Sequence, residues 1–220
     1  MAGHLHETGC GCAGFAPPGA PAEGSLLPYI DLARVRCLNE SAAGSARGVF
    51  KGLADAERRE PGRALESCEG DGDLLLHVPF TCTVRVMRLC IASCAAPPGA
   101  RAPARCRLFA GRADLDFSAA EGATPEQDVA LVEDAEAGVW YPLRVAKFSN
   151  VTSVQLFLSG AAGGALGDDE RVRVSFVGLK GEVTGHVSSA PGVIVYESAP
   201  RPADHVAAAG AGGARATIDA

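Results

Sequence analysis

The chain has 220 residues, 47% of them hydrophobic, a net charge of -6 and a pI near 5.4, which leaves room for one sandwich-sized domain with tails or at most two small ones. Its acidic balance excludes nucleic acid as a main partner, because phosphate binding needs a basic face, and no apolar run approaches the roughly 20 residues of a membrane span. The start Met1-Ala2-Gly3-His4 has no basic region and no apolar one, and Ala2 stands where a myristoylated glycine would be needed, so the expected compartment is cytosol, nucleus or both.

Residues 1–25 form a Gly/Ala/Pro-rich tail with no periodicity, expected to be disordered unless a metal holds it. His4, His6, Cys10 and Cys12 bring four donors of the type zinc or copper takes, although the His-x-His and Cys-x-Cys spacings are tight for a structural zinc site. A metal-binding tail and a solvated tail are the two readings, and no other cofactor is implied. The eight cysteines are expected to be reduced in this compartment, with Cys82, Cys90 and Cys106 acting as small hydrophobes in strand-like runs.

From Leu26 the chain gains apolar content. A short helix is predicted from Leu53 to Arg59, ended by Pro61 and Gly62. The acidic turn Glu66 to Asp73 leads into Leu74-Leu75-Leu76-His77-Val78-Pro79-Phe80-Thr81, a continuous apolar run that reads as a strand buried on both faces, with Pro79 ending its ladder. Val84 to Ile91 alternates and reads as the next strand. Arg105 to Arg112 is a strand with arginines on its outer face, Pro125 to Leu131 is another, and Trp140 to Val145 leads toward the strongest pair of runs.

Those runs are Thr152 to Leu158 and Arg171 to Leu179. They read as a hairpin around the loop Ser159 to Glu170, whose glycines and Asp168, Asp169 and Glu170 belong in water. Gly178 and Gly181 mark a bulge or a close backbone approach. Gly192 to Glu197 reads as an edge strand, and residues 206–220 as an Ala/Gly-rich flexible tail.

Roughly eight strands with almost no helix imply an all-β fold, a jelly-roll β-sandwich. Its predicted core includes Leu75, Val78, Phe80, Val86, Leu108, Phe109, Phe148, Val154, Leu156, Leu158, Val174 and Phe176. Catalytic signatures are missing: there is no Gly-x-Ser-x-Gly elbow, Walker loop, zinc-protease motif or Cys-x-x-Cys pair, so no catalytic residue is assigned and no enzyme is expected. His77 reads as a hydrogen-bonded sheet residue rather than a general base.

Several phrases occur together and in order: Leu38-Asn39-Glu40-Ser41, Gly44 to Lys51, the acidic turn followed by leucines and Val78-Pro79-Phe80-Thr81, Asp114 to Phe117, Lys147 to Val151, and Val177 to Glu182. Over residues 26–205 the chain resembles the PITH domain, named for proteasome-interacting thioredoxin-like proteins. The resemblance implies a jelly roll similar to galactose-binding-like domains. It also implies a non-catalytic module that binds the proteasome or a comparable assembly, since thioredoxin-linked members carry their redox motif in a separate domain. Protein contact is then expected through exposed charge, at Arg105 and Arg107 and at Asp168, Asp169 and Glu170. The alternative is a jelly roll that takes a sugar, metal ion or other small molecule at its loop end, a reading disfavoured by the supply of one Trp and three Tyr for stacking.

Overall fold

The apolar run beginning at Leu74 does not stop at Pro79. In the computed structural model of the protein, which describes residues 24–53, 64–93, 98–132, 139–161 and 163–186, it continues as one strand, β3 (Leu74–Ala92), of 19 residues. Up to Pro79, β3 pairs antiparallel with β1 (Arg36–Leu38) and β8 (Val151–Ala161). Beyond it, the neighbours are β10 (Phe176–His186) and β7 (Tyr141–Pro142). Pro79 therefore marks a change of partner rather than the predicted end of a ladder. It has no N–H to donate, and the register steps from Pro79↔Ser153 to Val84↔Val151, so Phe80 to Thr83 lie opposite Thr152 alone.

Two further strands complete the main sheet, β5 (Pro103–Ala110) and β6 (Gln127–Ala130), in the order β1-β3-β8-β5-β6. A smaller sheet has the order β2-β9-β4, from β2 (Leu65–Glu66), β9 (Arg171–Val174) and β4 (Ala100–Arg101). The inward side chains of both halves of β3, of β8 and of β9 join one apolar cluster, which makes the molecule an all-β sandwich of the jelly-roll class.

The predicted hairpin does not form. β8 is already paired on both edges, by β3 and β5, and so has no free edge for the second run. That run is itself divided at Ser175, whose N–H and Oγ both donate to the Ala92 carbonyl, at 2.8 and 3.0 Å. Its first part becomes β9 in the small sheet and its second becomes β10 beside β3.

All twelve predicted core residues are buried, but they divide among three clusters. Nine belong to the main cluster, and three lie apart from it in a way the sheet explains: Leu75 and Phe109 join Phe157 on the reverse face of the main sheet, and Phe176 joins Cys90 and Ala92 on the reverse face of β3–β10. The first reverse face is covered by a helix that the sequence reading missed, α1 (Phe117–Gly122), with Asp116 accepting the Ala119 N–H at 2.7 Å as its N-cap. Phe117 meets Phe157 edge to face at 5.9 Å. This cover is why the leucine run is buried on both sides. Of the predicted helix Leu53 to Arg59 only Leu53 is described, and the strand Gly192 to Glu197 and both tails lie outside the described residues.

β3 keeps one face on the core only because it bulges. Val84 and Val86 point inward, then Leu89 and Ile91 do, which requires one unopposed residue between them. Met87 is that residue, because Lys180 pairs with Arg88 and Gly181 with Val86. A Cβ on Gly181 would lie 1.9 Å from the Arg85 carbonyl oxygen, so the close approach predicted from the sequence is real. Gly181→Ala should destabilise by about 3 kcal/mol through overpacking. Gly122→Ala, with nothing within 4 Å of the new methyl, should be neutral or stabilising. Phe80→Ala, at 2% exposure, should cost about 3–5 kcal/mol. Urea melts of the three variants check the order; a Gly181→Ala change below about 0.5 kcal/mol would remove the bulge contact from the account.

Candidate functional site

The two acidic loops, far apart in sequence, lie side by side. Pairing of β2 with β9 sets Glu66 opposite Arg173, and beyond it the Gly70 N–H donates to the Glu170 carbonyl at 2.9 Å. Arginines from β9 and β4 then thread between the carboxylates. Arg171 reaches Glu66 at 3.3 Å and Glu69 at 2.9 Å, Arg173 reaches Glu66 at 2.5 Å, and Arg101 reaches Glu170 at 3.1 Å. The Glu170 carboxylate also accepts the Gly167 N–H, and this bond, with Arg101, holds its pKa below the ordinary value.

The arginines tie down the glutamates and leave the aspartates outward. Asp168 and Asp169 are exposed, and among the described residues no cation pairs with them. Asp71 accepts the Asp73 N–H across a tight turn. Asp73 accepts from Gly160 N at 3.3 Å, and burial pushes its carboxyl above the usual range despite that bond. Asp71 and Asp73 border an open hollow of about 440 Å³ lined also by Gly70, Gly72, Gly160 and Gly164. Among the described residues, no group of three or more His, Cys, Asp or Glu is gathered as for a metal ion.

The five residues expected to meet a partner separate into distinct situations. Asp168 and Asp169 face water, whereas Glu170 is held by Arg101 and Gly167. Arg105 is exposed but forms a two-pronged pair with Asp128, which lowers the Asp128 pKa. Arg107 corrects the expectation of a solvent-facing side chain. Its guanidinium lies 4.5 Å from the Phe157 ring and donates to the Ala120 and Glu121 carbonyls at 3.2 Å, clamping the end of α1 to the sheet. The arginine-rich and acidic stretches adjoin, since Arg101 grips Glu170 directly and Arg105 pairs with Ser159 across the sheet. His4, His6, Cys10 and Cys12 lie outside the described residues.

On the reverse face of the main sheet, a groove of about 190 Å³ runs between Arg36, Leu38, His77, Asp114, Leu115 and Gln155. Register sets His77 opposite Gln155. Gln155, 1% exposed, donates to His77 Nδ1 at 3.0 Å and Ser153 Oγ at 3.2 Å and accepts the Arg112 N–H at 3.0 Å. His77 is thereby an acceptor at Nδ1, neutral, with its proton on Nε2. That role agrees with the sequence reading of His77, while Gln155 gives no signal until the register is known.

Burial first, then Arg36 and Arg34, hold the His77 pKa below its ordinary 6.5. The unfolded chain therefore binds this proton more readily than the folded one. Its contribution to stability is complete above about pH 6.5 and is lost as pH falls from there through the depressed folded value. Urea melts at pH 7 and pH 5 should show a smaller acid-dependent loss for His77→Asn than for the parent; equal losses would assign the acid sensitivity elsewhere.

The model of the PITH domain matches residues 16–200, a span that includes every described strand. PITH domain-containing protein 1 of Xenopus laevis is 33% identical over 206 residues, covering 92% of each chain. PITH domain-containing protein 1 of Homo sapiens is 32% identical over 208 residues, again covering 92% of each. Among solved structures, the C-terminal domain of a chitobiase from Bacteroides fragilis aligns with 68% of this chain and 92% of its own, at 12% identity and a TM-score of 0.46. With most of its length, and every strand of its sandwich, inside one family match, the chain belongs to the PITH domain family.

Proposed function

We propose that this protein is a non-catalytic interaction module that docks, as an accessory subunit or regulator, on the proteasome or a comparable large assembly in the cytosol or nucleus. The observation that carries the reading is the loop end, where Glu66, Glu69 and Glu170 are fixed by Arg101, Arg171 and Arg173 while Asp168 and Asp169 are exposed and, among the described residues, unpaired. A frame cross-linked in this way presents charge at fixed positions with little left to order on binding, and complementary charge raises the on-rate. The family's name, taken from proteasome-interacting thioredoxin-like proteins, supports the choice of assembly. Support for a non-catalytic role comes from His77, whose Nδ1 is occupied by Gln155 and so is not available as a base.

The test uses the full chain against purified proteasome, with association and dissociation followed separately. The double reversal Asp168→Lys, Asp169→Lys should slow association by roughly tenfold, leave the melting temperature unchanged and flatten the salt dependence. Arg107 and Glu170 are unsuitable for such a test because both already hold structural contacts, Arg107 to α1 and Glu170 to Arg101 and the Gly167 N–H. A wild type that ignores the proteasome, yet gains melting temperature with galactose or calcium, would transfer the loop-end hollow to the ligand-binding reading.

A further inference from the structure

The outer face of β3 and β10 carries a second charged feature, of the opposite sign. Arg88 and Lys180 are directly opposite each other across the two strands, and Pro142 of β7 is opposite Arg88 on its other side. Their neighbours Leu89 and Leu179 are in the core, so Arg88 and Lys180 project together from the reverse face. Arg144, two residues beyond Pro142, is exposed as well. No carboxylate pairs with Arg88, Arg144 or Lys180 among the described residues; the nearby Glu182 is taken by Arg85 at 3.2 Å. Like charges directly opposite on a sheet cost stability.

Beside these cations lies Trp140, the chain's one tryptophan, half-buried against Cys90, Ala92 and Phe176. Lys180 Nζ stands 4.4 Å from the centre of its ring. The tips of Trp140 and Phe176 meet above Gly178, where a Cβ would come within 2.8 Å of the Trp140 ring and 2.9 Å of the Phe176 ring. The result is a partly exposed tryptophan beside the Lys180–Arg88 pair, with exposed Arg144 beyond the end of β7, on a protein whose net charge is -6. Tryptophan and arginine are the side chains that dominate binding energy at protein interfaces.

We propose that this face, built from Trp140, Lys180 and Arg88 and extended by the exposed Arg144 beyond β7, docks a short acidic segment of a partner protein, with carboxylates on the cations and an apolar side chain against the open part of Trp140. Charge complementarity selects the occupant: the uncompensated Arg88–Lys180 pair is unfavourable in the free protein and becomes favourable when a carboxylate lies between the two. The surface shares no residue with the acidic loop end and stands whether or not the assembly bound there is the proteasome.

Trp140 supplies the signal, since no other tryptophan contributes fluorescence. The full chain is titrated at low salt with a synthetic octapeptide of glutamates around one central leucine, and with the same peptide carrying glutamine for glutamate. The acidic peptide should give a saturable change in Trp140 emission that weakens as salt rises, and the glutamine peptide none. Arg88→Glu places opposite charges across the strands, so it should raise the melting temperature by about 1–3 °C while lowering peptide affinity about tenfold or more. Arg144→Glu, outside the paired strands, should weaken binding in the same direction and serves if Arg88→Glu folds poorly. Absence of a saturable change, an equal response to the glutamine peptide, or unchanged affinity in both variants would overturn the proposal. So would tighter binding of an oligonucleotide of matched charge. Glu133, Asp134 and Glu136 precede Trp140 in sequence and lie outside the described residues; a triple glutamine variant that binds the peptide when the wild type does not would identify the chain's own acidic stretch as the occupant and also overturn it.

Discussion

The fold depends on one strand serving two sets of partners. β3 is shared by the pairings with β1 and β8 and by those with β7 and β10, and its apolar side chains must reach one core from both halves. Because side chains alternate with a period of two, any odd insertion would turn the second half inside out. Met87 is such an insertion, and it works because the inward set shifts with it from Val84 and Val86 to Leu89 and Ile91. The partner strand must then come close enough to span the bulge. Gly181 permits that approach, and the Gly24 carbonyl accepts its N–H at 2.7 Å on the far side, so the segment before the sandwich also depends on it.

The same arrangement sets where charge is available. The small sheet β2-β9-β4 exists to close the end of the sandwich, and its register places Arg171 and Arg173 among the glutamates that precede β3. Single exposed ion pairs contribute about 0–1 kcal/mol, so these contacts matter less as a sum of energies than as a network with fixed geometry. Arg173 is the most deeply placed of the set, at 14% side-chain exposure, and cannot be both a structural bridge and a free contact. Counting charged residues by exposure in the sequence would have included it; the structure divides them by commitment instead.

Much of this was legible before any coordinates. Strand positions, the twelve buried core residues and the bulge glycine follow from alternation, turn residues and a glycine at the end of an apolar run. Pairing did not follow, because the runs at 152–158 and 171–179 are adjacent in sequence and nothing local reveals that β8 is already occupied on both edges. α1 was missed for a related reason: six residues carry too little helical periodicity, and the Asp116 cap is only meaningful once Phe117 has Phe157 to rest on. The charged site was half legible. Asp168 and Asp169 stand in a glycine-rich loop that must be wet, whereas the fate of Arg107 is decided by an aromatic ring on another strand.

Opposite signs on separate surfaces of one small sandwich constrain what can approach it and how. Beyond the Debye length of about 8 Å at physiological salt, an approaching acidic protein senses little of either patch, and within that distance Arg88 and Lys180 attract it against an overall charge of -6. A basic surface meets the converse preference for the aspartates of the loop end. Each surface therefore rejects the other's partner by like-charge juxtaposition as effectively as it attracts its own, which is a route to specificity that needs no deep pocket. The cost falls on the Arg88–Lys180 pair, held together in the free protein with Trp140 as the one described π-face against which Lys180 can be sheltered. That aromatic shelter explains how two cations persist side by side, and it ties the state of the tryptophan to whatever neutralises them.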